Sequence, residues 1–127
     1  MSNMLTDFHL LEDFKKTIAR LEEAISLKKT EIVRDCAIKR FELCFDLAWK
    51  CIKSYAREEG IECNSPRSCL KVAFQLNLIS HDENWLKMLD DRNLTVHIYK
   101  EKYAEQVYSQ LSLYAGLLKE LAIKLEE

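Results

Sequence analysis

The chain has 127 residues, of which 2 are Gly and 1 is Pro, with 48% hydrophobic and 31% charged residues and a formal net charge of −2. Globular proteins carry roughly 7% Gly and 5% Pro, so this scarcity excludes glycine-rich phosphate loops, dinucleotide fingerprints and turn-dense β-sandwiches. The length suits one domain over 1–127, and a charge near zero speaks against non-specific duplex binding while leaving room for a small RNA site.

The first predicted helix follows from Phe8, Leu11, Phe14, Ile18, Leu21 and Ile25, which recur at steps of three or four. It should close near Lys28 and Lys29, cations suited to a helix C-terminus, and Thr30 suits the cap of the next helix. The second helix, from about Glu31 to Glu59, carries two apolar stripes. One is Val33, Ala37, Cys44, Ala48, Cys51 and Tyr55; the other is Ile38, Phe41, Phe45, Trp49 and Ile52. Residues 37 and 38 differ by about 100° around a helix, so both faces need cover, from the chain itself or from a second subunit.

Gly60 is placed to end this helix, and Ile61 to Asn64 reads as the main loop. Ser65-Pro66 supplies a cap and a first helical residue for a short helix carrying Leu70, Ala73 and Phe74. Ser80 with Glu83 fits a capping box ahead of Trp85, Leu86 and Leu89. The last helix has Val107, Leu111, Tyr114, Leu118, Leu121 and Leu125 in helical register. The expected architecture is all-α, an up-and-down bundle of about five helices.

No apolar run approaches the roughly 18 residues of a membrane span, and the N-terminus lacks a signal-peptide layout, so a cytoplasmic protein is expected. Cys36, Cys44, Cys51, Cys63 and Cys69 form no C-x-x-C pair and are expected as reduced thiols. The three histidines lie apart, so neither a metal site nor a cofactor is expected. The pairs Lys15-Lys16, Lys28-Lys29 and Lys39-Arg40 read as solvated helix surface. Tyr103, Tyr108 and Tyr114 read as packing or interface residues in preference to base-stacking platforms.

Chemistry concentrates in Asp91-Arg92-Asn93-Leu94-Thr95-Val96-His97-Ile98-Tyr99, at the join of two helices. A structural reading pairs Arg92 with Asp90 or Asp91, lets His97 cap a helix end and packs Tyr99 with a wet hydroxyl. A functional reading needs Arg92 and His97 to face one pocket. On one continuous helix they would diverge by about 140°, whereas Arg92 and Tyr99 would differ by about 20°, so the helix should break between Arg92 and His97. Thr95 and Val96 are β-branched and lower helix propensity there, and Thr95 is an acceptable cap.

Arg92-Asn93, with His97 five positions after the arginine and Tyr99 two further on, resembles the R-x4-H-x-Y motif of the HEPN superfamily. The resemblance extends to Lys39-Arg40-Phe41-Glu42, Phe45-Asp46-Leu47-Ala48-Trp49-Lys50, Ser65-Pro66-Arg67 and Trp85. Together these resemble the nucleotidyltransferase-associated branch, the nucleotidyltransferase substrate-binding proteins and HepT-type toxins. Val96, Ile98 and Lys100 depart from the small polar and acidic residues usual around that motif. The resemblance implies a helical homodimer partnered by a minimal nucleotidyltransferase. It further implies a toxin of a toxin-antitoxin pair that is a metal-independent ribonuclease, with Arg92 and His97 catalytic, Asn93 supporting and Tyr99 the residue AMPylated by the partner. The alternative it leaves open is a non-catalytic substrate-binding subunit of a two-component nucleotidyltransferase.

The residues suit RNA cleavage by the neighbouring 2′-hydroxyl, which needs a proton acceptor, a proton donor and stabilisation of developing charge. An imidazole exchanges protons near neutral pH, and a guanidinium presents a planar donor fork to phosphate. Each chain offers one suitable histidine where the reaction wants an acid and a base, so two copies in one groove would complete the set.

Overall fold

The computed structural model describes residues 4–80 and 82–127, and the side chains among them except those of 4–8 and 82. Five α-helices run in order: α1 (Met4–Ser26), α2 (Glu31–Glu58), α3 (Pro66–Gln75), α4 (Asp82–Leu94) and α5 (Glu101–Glu126), with one 3-10 turn, Thr95–His97, between the last two. The fold is all-α, as expected. The long helices α1, α2 and α5 pack mutually. The short α3 and α4 pack against each other and against α2, and α4 also reaches α5.

Local signals start and stop these helices. Thr30 Oγ1 accepts the Val33 N–H at 3.0 Å and caps α2. Ser65 caps α3, and Ser68 returns the bond to form a capping box ahead of Pro66. Gly60, at φ +78, closes α2: the Gly60 N–H donates to the Arg57 carbonyl and the Ile61 N–H to the Ala56 carbonyl, the paired bonds of a left-handed helix end. The same pair of bonds closes α3 at Asn77, φ +60, an asparagine doing what glycine does elsewhere. The first helix stops at Ser26, short of Lys28 and Lys29. Lys29 instead reaches Glu105 at 2.6 Å and lies 5.2 Å from the Tyr108 ring centroid. The capping box expected from Ser80 and Glu83 spans His81, which lies outside the described residues, as does the Phe8 side chain.

Both stripes of α2 are covered within the chain. Ala37, Cys44 and Ala48 of one, and Ile38, Phe41, Phe45 and Ile52 of the other, are fully buried. They meet Phe14 and Leu21 of α1, Trp85 and Met88 of α4, and Leu111, Leu118 and Leu121 of α5 in one core. Of the two covers open to the second face, the chain itself supplies it. Burial pushes the Cys44 thiol up to about 12, against a hydrogen bond from Thr17 that works the other way.

The expectation of five reduced thiols is corrected at one pair. Cys63 and Cys69 form a disulfide, because the loop after α2 folds back onto the first turn of α3 and brings their Cα atoms to 5.1 Å, inside the bridging range. Cys36, Cys44 and Cys51 are not disulfide-bonded. Among the described residues no helix is long and apolar enough to cross a membrane.

Candidate functional site

The segment singled out in the sequence lies where α4 gives way to α5. Arg92 sits in the last turn of α4 and reaches across to α2, where its Nε and Nη2 each donate to one oxygen of Asp46 at 3.0 Å. The alternative pairing with Asp90 or Asp91 does not occur. Neighbouring residues on a helix point about 100° apart, and Asp91 points into the protein. It accepts from Tyr114 Oη at 2.6 Å and from Gln106 Nε2 at 3.0 Å, while Asp90 stands 4.0 Å from Arg67.

Asp46 raises the Arg92 pKa, the hydrogen bonds outweighing partial burial, so the guanidinium is held cationic and oriented. Asp46 engages the Nε–Nη2 edge and not Nη1. Burial and Asp91 together raise the Tyr114 pKa, so its phenol keeps the proton it donates.

The helix breaks where the functional reading needs it to, between Arg92 and His97. α4 ends at Leu94 and the chain turns through Thr95–His97. Thr95 is buried, and its hydroxyl lies 2.7 Å from both Glu42 Oε2 and the Arg92 carbonyl oxygen, one hydrogen shared between two acceptors. It therefore ties the turn to α2 instead of capping the next helix, whose N-cap, Lys100, makes no side-chain capping bond.

At the end of the turn His97 meets Tyr99: Nδ1 lies 3.3 Å from the phenol oxygen, and the rings meet edge to face at 5.9 Å. Both are exposed, Tyr99 at 76%. Asn93 is also exposed. No hydrogen bond joins Arg92 to His97 among the described residues; the structure gathers Arg92 with Asp46 ahead of the turn and His97 with Tyr99 at its end.

Glu42 and Asp46 were not singled out as site residues by sequence reasoning. They lie four apart on α2, hence on one face, within the blocks that carried the family resemblance. Burial opposes the Glu42 charge, but hydrogen bonds from Thr95 and Lys39, with the charges of Lys39 and Arg92, hold its carboxyl below the ordinary range. A carboxyl depressed in the folded state stabilises above its ordinary value of 4.5, and that contribution disappears as pH falls through the folded value. Melting curves between pH 7 and pH 3 should therefore show a shallower acid-side loss for Glu42→Gln than for the wild type.

Lys39 and Arg40 are engaged on the helix surface, Lys39 with Glu42 at 3.0 Å and Arg40 with Glu23 at 3.0 Å and the Arg20 carbonyl at 2.7 Å. A cavity of about 640 Å³ opens between the α3–α4 link and the end of α5, lined by Phe74, Leu78, Trp85, Leu117 and Ile123 among others. None of Arg92, His97 and Tyr99 lines it. Among the described residues, no group of three His, Cys, Asp or Glu side chains is arranged to hold a metal ion.

The family described as nucleotidyltransferase substrate binding protein like matches residues 9–127. A protein of Haemophilus influenzae named "Probable ribonuclease HepT" is 29% identical over 80 residues, which span 59% of this chain and 55% of that relative. The chain thus matches little more than half the length of that curated relative. A crystal structure from Thermus thermophilus is 36% identical, with a TM-score of 0.86 over 90% of this chain and 99% of its own. A second, from Haemophilus influenzae, is described as showing the fold of a substrate-binding domain of a nucleotidyltransferase. It is 20% identical, with a TM-score of 0.70 over 98% of this chain and 100% of its own, and shows the shared fold.

Proposed function

The chain belongs to the nucleotidyltransferase substrate binding protein like family, and from that membership we propose that it is the HEPN-type toxin of a toxin-antitoxin pair, a metal-independent ribonuclease neutralised by a minimal nucleotidyltransferase. The observation that carries this reading is the helix break at Thr95–His97. It leaves a cationic, Asp46-oriented guanidinium ahead of the turn and an exposed imidazole at its end. The name of the Haemophilus influenzae relative supports it.

In this mechanism the Nη1 edge of Arg92, with the Asn93 amide, stabilises charge developing on the scissile phosphate. His97 takes the proton from the 2′-hydroxyl or returns one to the leaving oxygen. The other role falls to His97 of a second copy. The exposed apolar side chains Leu43 and Val96 support such a pairing: Leu43 lies on the α2 face that carries Asp46, and Val96 in the turn itself. The toxin acts in the cytoplasm, where RNA and the partner are found.

Tyr99 is the residue the partner modifies. It is exposed, with its hydroxyl beside the His97 ring. An attached AMP adds negative charge and bulk two residues from His97, and the Nη1 edge of Arg92 would attract its phosphate. The test is co-expression with a minimal nucleotidyltransferase from the same genome, read by intact mass and growth. The expected result is one or more added AMP masses on the wild type, none on Tyr99→Phe, and growth arrest when Tyr99→Phe is expressed with the partner. No mass shift and no growth effect would favour the second reading, a substrate-binding subunit without catalysis, which the description of the structural relative favours.

A further inference from the structure

Resting on the RNA-cleaving reading above, we infer that the first turn of α5 is a stacking and phosphate subsite for single-stranded RNA, formed by Tyr103, Lys100 and Lys102 beside the Arg92–Tyr99 segment. The two ammonium groups lie 5.6 Å and 5.2 Å from the centroid of the same tyrosine ring. That ring is half-buried, and both lysines are exposed.

The cluster carries two positive charges without a paired carboxylate. Elsewhere many cations of the chain find carboxylates: Lys15 with Glu12 and Glu126, Lys39 with Glu42, Arg40 with Glu23 and Arg92 with Asp46. The carboxylates on the same stretch of α5 are engaged elsewhere. Glu101 turns to the buried Arg34, and Glu105 turns to Arg34 and Lys29. Among the described residues neither Lys100 nor Lys102 forms an ion pair. Two like charges therefore stand beside one aromatic ring, neither of them paired with a carboxylate.

An anion would neutralise the lysines and a planar group could stack on the ring, so a ligand that is both uses the whole cluster. A nucleotide in a single strand offers both, its phosphate to the lysines and its base to the ring. A base held in a duplex is already stacked and cannot be offered to the ring. The subsite is continuous with the motif, since the Lys100 N–H donates to the His97 carbonyl oxygen at 3.0 Å and Tyr99 is the preceding residue. RNA crossing His97 thus meets Lys100 next.

The test uses the full chain carrying His97→Ala, so that RNA stays intact, with a short fluorescent oligouridylate and an RNA duplex of equal length as probes. Combined Lys100→Ala and Lys102→Ala is expected to weaken oligouridylate binding and to reduce the salt slope of log Kd by about 1.4, at roughly 0.7 per phosphate contact. Tyr103→Leu is expected to weaken single-strand binding about 5- to 150-fold, with Tyr103→Phe restoring it and duplex binding unchanged. Lys119→Ala with Lys124→Ala, toward the other end of α5, removes the same charge and should do neither. Loss from the distal pair as large as from Lys100 and Lys102, Tyr103→Leu binding within twofold of its parent, or no oligouridylate binding at all would each overturn the subsite. Cleavage measured separately with His97 intact distinguishes the two readings. RNA cut normally by chains whose lysine and tyrosine changes alter no binding condemns the subsite alone, whereas uncut RNA with the binding losses intact condemns the ribonuclease reading alone.

Discussion

His97→Ala is expected to lower cleavage of single-stranded RNA by about 10²- to 10⁴-fold, the range that a positioned proton-transfer group contributes, and to relieve growth arrest in the absence of the partner. The fold should not notice. The His97 side chain is exposed and its described contact is the Tyr99 hydroxyl and ring, while the backbone bond from the Lys100 N–H to the His97 carbonyl is independent of side chain. Surface changes of this kind usually alter stability by no more than about 0.5 kcal/mol, so the melting temperature should stay within a few degrees of wild type. The two readouts together separate chemistry from folding. A variant that melts normally yet retains cleavage within threefold of wild type would remove His97 from the mechanism. A chain that cuts no RNA in either form would shift the function to substrate binding.

The helices and several of their ends were legible in the sequence because their causes are local. Thr30, Gly60 and Ser65-Pro66 act within a turn of themselves, and each does in the structure what its type predicts. The break after Arg92 was also legible, from geometry: two residues five apart can serve one site only if the helix stops. What Thr95 does there was not. Its hydroxyl meets Glu42, more than fifty positions earlier in the chain, and no local rule connects them. Asp46 is hidden for the same reason, as is the inward turn of Asp91 toward Tyr114. Adjacent acidic residues beside an arginine look interchangeable as partners in sequence, yet the helix sends Asp90, Asp91 and Arg92 in three directions. The Cys63–Cys69 disulfide depends on the fold of a loop with no periodicity to read. The second stripe of α2 was legible as apolar but not as to its cover, since a stripe announces burial and not the partner that buries it.

The largest stability effect is expected at Phe41, which joins the core to the site. Its side chain is fully buried and stacks on Tyr114 with ring centroids 5.5 Å apart. Truncating a buried phenylalanine to alanine costs about 3–5 kcal/mol in lost transfer free energy and residual cavity. For a chain of this size that corresponds to a fall in Tm of roughly 10–20 °C. The consequence should travel beyond the core, because Tyr114 also donates to the buried Asp91, the residue preceding Arg92. A Tyr114 ring that loses its stacking partner is free to tilt into the cavity, lengthening that bond and loosening the last turn of α4. Phe41→Leu refills most of the volume and should recover most of the Tm, and Tyr114→Phe removes only the hydroxyl. If the coupling is real, Phe41→Ala combined with Tyr114→Phe should destabilise less than the sum of the two single changes, by more than the roughly 0.3–0.5 kcal/mol within which independent sites add. Additivity within that margin, measured by urea melts, would confine Phe41 to core packing and leave the orientation of Arg92 to Asp46 alone.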